Sequence, residues 1–398
     1  MMLCAVVNAV LIAVAPVPGA PEPVTPAITQ TDVFVSGEGG YDTYRIPSIT
    51  VTPGGSLLAF CEGRLDGSGD AGNIDILMRR SEDDGRTWGD VVVLRDDGLN
   101  TCGNPCVVVD HATGGLVLLT THNLGHDHER EIIDQTSEGT RTIWVMRSDD
   151  DGLTWSQPED ITKSVKRPEW TWYATGPGSG IQIRHGEHAG RLVIPCDHIE
   201  AETKHYYSHV IHSDDHGATW QLGGSSPEHQ VNECEVVELV DGRLMLNMRN
   251  YDRSKKTRQI CVSSDGGSTW SGQRHDEALP EPICQASIHR TAWPAEDRAG
   301  VILFSNPASR DRRVMMTVRA SFDDGCTWPV QRVLHHGASA YSSLVSGSDG
   351  GAFCLYEADG YGRIVLAELP GPWLGTDPAS RPKHVLTRDE AESSSERP

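Results

Sequence analysis

Five stretches of this chain place ionisable side chains among glycines and strand-forming residues in a way that a scaffold does not require. Arg45 stands just before Ile46-Pro47, ahead of the strand-like run Ile49-Thr50-Val51. Arg64 and Asp70 share a glycine-rich loop, 62–72, which is expected to present both without packing constraints. Residues 232–249 read as a hairpin, with Glu233 at the mouth of one strand and Arg249 at the mouth of the next. Arg310-Asp311-Arg312-Arg313 leads into another strand, and Tyr341 follows the small residues Ala338-Ser339-Ala340. Such a set could grip an anion with guanidiniums and move protons with carboxyls. Taken singly, each residue has a duller reading. An arginine at a strand end is commonly a solvated or salt-bridged surface residue, an aspartate caps a turn, and a tyrosine packs.

The overall charge sharpens this. With 34 Lys+Arg against 56 Asp+Glu, the chain carries a formal −22. A protein this acidic suits neither nucleic acid nor an anionic membrane surface. If its substrate is an anion, basic residues must be concentrated in one place against the global field. Ten cysteines with no C-x-x-C pair read as small buried hydrophobes, not as a disulfide or metal framework. His126, His128 and Glu129 lie close together, but the reading assigns them no metal.

The elements that must hold these residues are announced by a repeat. The pattern S-x-D-x-G-x-T-W occurs at 81–88, 148–155, 213–220, 263–270 and 321–328, with copies about 50–67 residues apart. The aspartate can accept hydrogen bonds from its own turn, and the glycine two positions on can take a positive φ. The threonine and tryptophan are then expected to start the next strand. The motif resembles the Asp-box, a structural turn, so Asp83, Asp150, Asp215, Asp265 and Asp323 are read as structural. Strand–turn–strand units at this period predict an all-β fold, a six-bladed β-propeller of four-stranded antiparallel blades, one of them lacking the motif. The propeller is expected over 33–374, followed by a polar tail over 375–398. The apolar run at 3–16 and the small residues after it read as a signal peptide over 1–20, which implies a secreted or periplasmic protein without stable membrane insertion.

Taken together, the boxes and the five segments resemble the exo-α-sialidase (neuraminidase) family of bacterial type. Asn104-Pro105, the stretches WYATGPG (172–178) and GRLVIP (190–195), and Leu355-Tyr356-Glu357 extend the likeness. The resemblance implies an arginine triad of Arg45, Arg249 and Arg313 for the sialic acid carboxylate. Arg313 is chosen over Arg310 and Arg312 by its offset of five from Val318; Met315 stands where family members often carry Asn. It implies Asp70 as acid/base, Tyr341 as nucleophile, Glu233 as the carboxylate partnering that tyrosine, and Arg64 as a further pocket arginine near a sugar hydroxyl. Glu235 and Glu238 are read as bland, one facing solvent and one bridging.

The implied chemistry is coherent. Sialic acid bears its carboxylate on the anomeric carbon, where an anionic nucleophile would be repelled. A neutral phenol avoids that until its proton is taken. The expected reaction is hydrolysis of terminal sialic acid from glycoproteins, glycolipids or oligosaccharides with retention, needing neither cofactor nor metal. The alternatives are an inactive sialoglycan-binding propeller, or a variant preferring a deaminated sialic acid or transglycosylation.

Overall fold

The computed structural model describes residues 27–295, 298–348, 350–377 and 381–382. The expected signal peptide, 1–20, and most of the expected tail, 375–398, lie outside them. The protein is all-β. Among the described residues the helices are three short ones, Glu129–Asp134, Thr162–Val165 and Gly371–Leu374. None is long and apolar enough to cross a membrane.

Strands pair with their sequence neighbours, antiparallel, in successive groups of four. Thr43–Val51, Leu57–Arg64, Ile74–Ser81 and Val92–Arg95 form one such run. Thr101–Val109, Leu116–Asn123, Thr142–Ser148 and Glu159–Asp160 form another. Trp170–Thr175, Leu192–Glu200, Tyr206–Ser213 and Gln221–Ser225 follow, then Val231–Glu238, Leu244–Asn250, Thr257–Ser263 and Ser271–Pro280. Ser287–Ala292, Val301–Pro307 and Val314–Ser321 pair onward to the first half of Val330–Ser346. The second half of that 17-residue strand pairs with Ala352–Ala358, which pairs with Arg363–Leu369. The outermost place beside Arg363–Leu369 is taken from the other end of the chain, by Thr29–Val35.

The first strand of a group is buried along nearly its whole length, as in Thr43–Val51 and Val231–Glu238, because it has protein on both faces. The last strand is short or charged, as in Glu159–Asp160, which discourages pairing with another chain. Apolar side chains pack between consecutive groups. Phe60 meets Leu118, Val117 meets Ile194, Val210 meets Val236, and Val237 meets Ile302 within shared clusters. Leu303 and Val365 share the next cluster, and Leu366 with Leu57 ties the last group to the first. Eight of the described cysteines, Cys102 and Cys106 among them, are buried thiols, all but Cys284 on these strands.

The five S-x-D-x-G-x-T-W turns share one geometry. In the first, Asp83 Oδ1 accepts the Ser81 hydroxyl at 2.9 Å and the Thr87 N–H at 2.8 Å, while Oδ2 accepts the Thr87 hydroxyl at 2.6 Å. Those bonds from Thr87 pull the Asp83 carboxyl down to about 2. The expected positive φ at the glycine is joined by one at the residue before it, +59° at Asp84 and +79° at Gly85. The glycine also meets a neighbouring group: a Cβ on Gly85 would lie 2.1 Å from a methyl of Leu366. The threonine and tryptophan do not start the next strand, contrary to expectation. Strands resume after the tryptophan, at Val92, Glu159, Gln221, Ser271 and Val330, because the threonine is committed to the aspartate.

At one end of the groups the first strands are bulged. Pairing slips between Arg45 and Ser48, Gly103 and Cys106, Trp170 and Tyr173, Val231 and Cys234, and Ser339 and Ser342. A bulge turns side chains off the regular alternation and re-aims them. Ile46, a β-branched residue, sits in the first bulge at φ +61°, a backbone state that costs energy.

Of Glu235 and Glu238 one bridges as expected, Glu238 to His185 Nδ1 at 3.1 Å, but neither faces solvent, since both are buried. Burial pushes the Glu235 carboxyl up to about 8, against hydrogen bonds from the Ile288 N–H, the Ser287 hydroxyl and the Ser179 N–H. Met315 takes φ +64°, which explains why asparagine suits that position better. Replacing Met315 with Asn should therefore raise stability by about 1 kcal/mol in a denaturant titration. Glu235 makes a second forecast. Its folded pKa of about 8 exceeds the ordinary 4.5, so the fold holds an extra proton between those values and loses stability as pH rises through them. In Glu235→Gln the decline between pH 5 and 8 should flatten by up to about 1.4 kcal/mol per unit. Parallel stability profiles for the two proteins would show that Glu235 is not the titrating group.

Candidate active site

The bulged strand ends deliver the site. Arg45, third residue of Thr43–Val51, is 5% exposed and donates from Nε at 3.1 Å and Nη2 at 3.4 Å to Glu357. Glu357 is fully buried and also accepts the N–H groups of Ile46 at 2.9 Å and Tyr341 at 3.0 Å. One carboxylate thus fixes an arginine and the backbone that carries the tyrosine. The remaining edge of Arg45 donates from Nη1 to Asp70 Oδ1 at 3.4 Å.

Tyr341 donates its hydroxyl to Glu233 Oε1 at 2.5 Å. Arg249 Nη1 donates to Glu233 Oε2 and to the Tyr341 oxygen, the latter at 3.0 Å. The guanidiniums of Arg45 and Arg313 lie 5.2 and 5.7 Å from the centre of the Tyr341 ring. Arg313 is aimed by Tyr361, whose hydroxyl takes its Nη1 at 3.2 Å, and by the Ile283 carbonyl, which takes Nη2 at 3.1 Å. Arg310 and Arg312 stay exposed on the preceding loop. All seven residues singled out in the sequence, Arg45, Arg64, Asp70, Glu233, Arg249, Arg313 and Tyr341, therefore form one connected cluster.

Electrostatics follow from this packing. Burial and the Glu233 charge push the Tyr341 phenol well up, outweighing Arg249, Arg313 and Arg45, so it rests protonated. Burial pushes Asp70 up too, but the charges of Arg64 and Arg45 and the Arg64 hydrogen bond outweigh it and hold the carboxyl below its usual range. The Asp70 side chain keeps 68% of its surface open within the cleft, whereas Arg64 is buried. Arg64 is not the unconstrained loop residue expected. It ends the strand Leu57–Arg64 and donates to Glu62, to the carbonyls of Ser68 and Gly69, and to Asp70.

Several residues of the site were missed. In the sequence Glu357 stands out only within Leu355-Tyr356-Glu357, although three gathered arginines call for buried carboxylates. Tyr361, whose ring lies 4.1 Å from the Arg45 guanidinium, stands in an ordinary-looking turn, Asp359-Gly360-Tyr361-Gly362. Arg141 is buried and stacks at 4.1 Å on Trp172, with nothing local to mark it. His126, His128 and Glu129 do not converge. His126 pairs with Glu138 at 3.1 Å, the His128 N–H meets the Glu131 carboxylate at 2.9 Å, and Glu129 is raised by burial beside Arg141 and Asp70.

Known proteins resemble this chain in sequence and in fold. Residues 55–354 match the family model described as a BNR repeat-like domain. A sialidase of Micromonospora viridifaciens is 39% identical over 375 residues, covering 92% of this chain and 56% of that protein. The chain thus spans little more than half the length of that relative. An exo-alpha-sialidase of Arthroderma benhamiae is 31% identical over 357 residues, covering 83% of this chain and 81% of its own length. The solved structure of a Hadza microbial sialidase superposes with a TM-score of 0.78 at 33% identity, over 88% of this chain and 71% of that one. With an arginine-ringed tyrosine at one end of its strand groups and this span of matching sequence, the chain belongs to the sialidase family of BNR-repeat proteins.

Proposed function

We propose that the protein is an exo-α-sialidase that removes terminal sialic acid from glycans with retention, through a tyrosyl-sugar intermediate. The observation that carries this is the Tyr341–Glu233 hydrogen bond set among the guanidiniums of Arg45, Arg249 and Arg313. We read the whole unit, 33–374, as one six-bladed propeller. Six runs of four strands, apolar clusters between each pair of neighbours, and an N-terminal strand completing the last run support that reading.

The arginine triad receives the sugar carboxylate through charge-assisted hydrogen bonds. That carboxylate competes with Asp70 for Arg45 Nη1, which frees Asp70 towards the glycosidic oxygen. The Tyr341 oxygen attacks the anomeric carbon while its proton passes to Glu233, so the nucleophile gains charge only as the bond forms. Released from Arg45, Asp70 takes up a proton from solvent and passes it to the departing oxygen as the glycosidic bond breaks. It then takes a proton from water, which attacks the same carbon. The phenolate leaves and recovers its proton from Glu233. Two displacements at one carbon leave the configuration retained. Terminal sialic acids of glycoproteins, glycolipids and oligosaccharides are the substrates of this reading.

Tyr341→Phe removes the nucleophile and leaves the ring in place. Its kcat on a fluorogenic α-sialoside should fall by about 10³-fold or more, with the thermal midpoint unchanged. Proton NMR of the wild-type reaction should show the α-anomer of the free sugar first. A β-anomer appearing first, or a Phe variant of undiminished activity, would sink the mechanism.

A further inference from the structure

Among the buried carboxylates beside the site that the mechanism above leaves without a task, one stands against Arg64. Glu62, on the strand Leu57–Arg64, is 3% exposed. Its Oε2 accepts Arg64 Nε at 3.0 Å and Nη2 at 2.5 Å, and its Oε1 accepts the Asn104 N–H at 2.8 Å. It is thus anchored on the neighbouring strand group as well as on its own. That anchor is built with care: Asn104 sits in the bulge at φ +54° and takes the Thr121 hydroxyl on Oδ1 at 3.0 Å and the Thr175 hydroxyl on its carbonyl at 2.6 Å. Gly103 leaves Glu62 its space, since a Cβ there would lie 2.7 Å from Oε1.

With Nε and Nη2 fixed on Glu62, Arg64 has one nitrogen left for the loop. Nη1 donates to the Ser68 carbonyl at 2.5 Å, the Gly69 carbonyl at 2.9 Å and Asp70 Oδ1 at 2.8 Å. The ends of this loop are closed by backbone, through Leu65 to Asn73 and through Gly72 to the Thr101 hydroxyl. Its middle contains no regular structure, and Gly67 and Gly72 take φ +107° and +124°. Arg64 is what ties that middle down, and Glu62 is what aims Arg64.

We infer that Glu62 is a positioning residue for the acid/base step: it holds Arg64 in the orientation that keeps Asp70 over the leaving oxygen. The inference rests on the sialidase reading above. A carboxylate that only neutralised a buried arginine would need neither a second anchor on Asn104 nor an Arg64 turned towards the loop.

The test uses two substrates that differ in their need for an acid. A sialoside with a sugar as leaving group requires protonation of the departing oxygen; one with a nitrophenol requires little. In Glu62→Gln, kcat on the sugar aglycone should fall by about 30-fold or more, and on the nitrophenyl sialoside by less than about 3-fold, with KM little changed for either. Gly103→Ala crowds the same carboxylate from the other side and should give a milder version of the same split. It serves as the second probe if Glu62→Gln folds poorly. Equal losses on both substrates, or no loss on either, would overturn the positioning role. A wild-type protein that turns over neither substrate would instead overturn the sialidase reading.

Discussion

Three guanidiniums can surround one phenol only if carboxylates share the space with them. Each buried cation loses its hydration, a penalty of several kcal/mol per ion, and repels the others. The fold answers with one carboxylate for each role. Glu357 takes two nitrogens of Arg45, Glu233 takes Arg249, and Glu62 takes Arg64. Among the described residues Arg313 has no carboxylate in hydrogen-bond contact, and it leans on a phenol and a carbonyl instead. The same carboxylates then do a second job, since Glu357 also holds the Tyr341 N–H and Glu233 its hydroxyl. Charge balance and alignment of the nucleophile are therefore one network. In a chain of net −22 the site concentrates positive charge by spending few carboxylates close by, not by excluding them.

Such a network needs side chains from several distant segments to meet at fixed angles, and the bulges supply them. A regular strand would send alternate residues to opposite faces. The slips around Arg45, Glu233 and Tyr341 break that alternation where first strands meet. The strain this stores, seen at Ile46, is held by Glu357 accepting the Ile46 N–H. At the other extreme of each group, the repeated turns cross-link neighbours. Asp83 and its counterparts spend their side-chain hydrogen bonds inside their own turns, consistent with a structural part alone.

Much of this was legible in the sequence, for identifiable reasons. The turns were readable because their bonds are local, made between residues two and four apart. The seven site residues were readable only as an ordered set, and Arg313 was separated from Arg310 and Arg312 by its offset from the following strand. Long-range charge pairing was not readable. Nothing near Arg45 points to a partner 312 residues away, and nothing in Asp359-Gly360-Tyr361 points to Arg313. Burial misled at Glu235 and Glu238, one of which was expected to face solvent, because their strand is buried along its whole length. Arg64 was misplaced because a glycine-rich sequence was taken as loop from Glu62 onward, when the strand in fact continues through Arg64.

The site also divides its residues by burial. Arg45, Glu233 and Tyr341 are buried on strands, where a shift would break several bonds at once. Asp70 alone stands on an irregular loop with most of its side chain open. That division matches what the two kinds of group must do. A nucleophile and its anion clamp gain from being held still, because alignment is prepaid by folding. An acid that serves first a departing oxygen and then an incoming water must address two positions in turn. It can do so only if its anchors are strong enough to bring it back and few enough to let it move. Two arginines, Arg45 and Arg64, meet that condition for Asp70: in the proposed mechanism the arriving carboxylate draws Arg45 away from it, and Arg64 remains as its anchor.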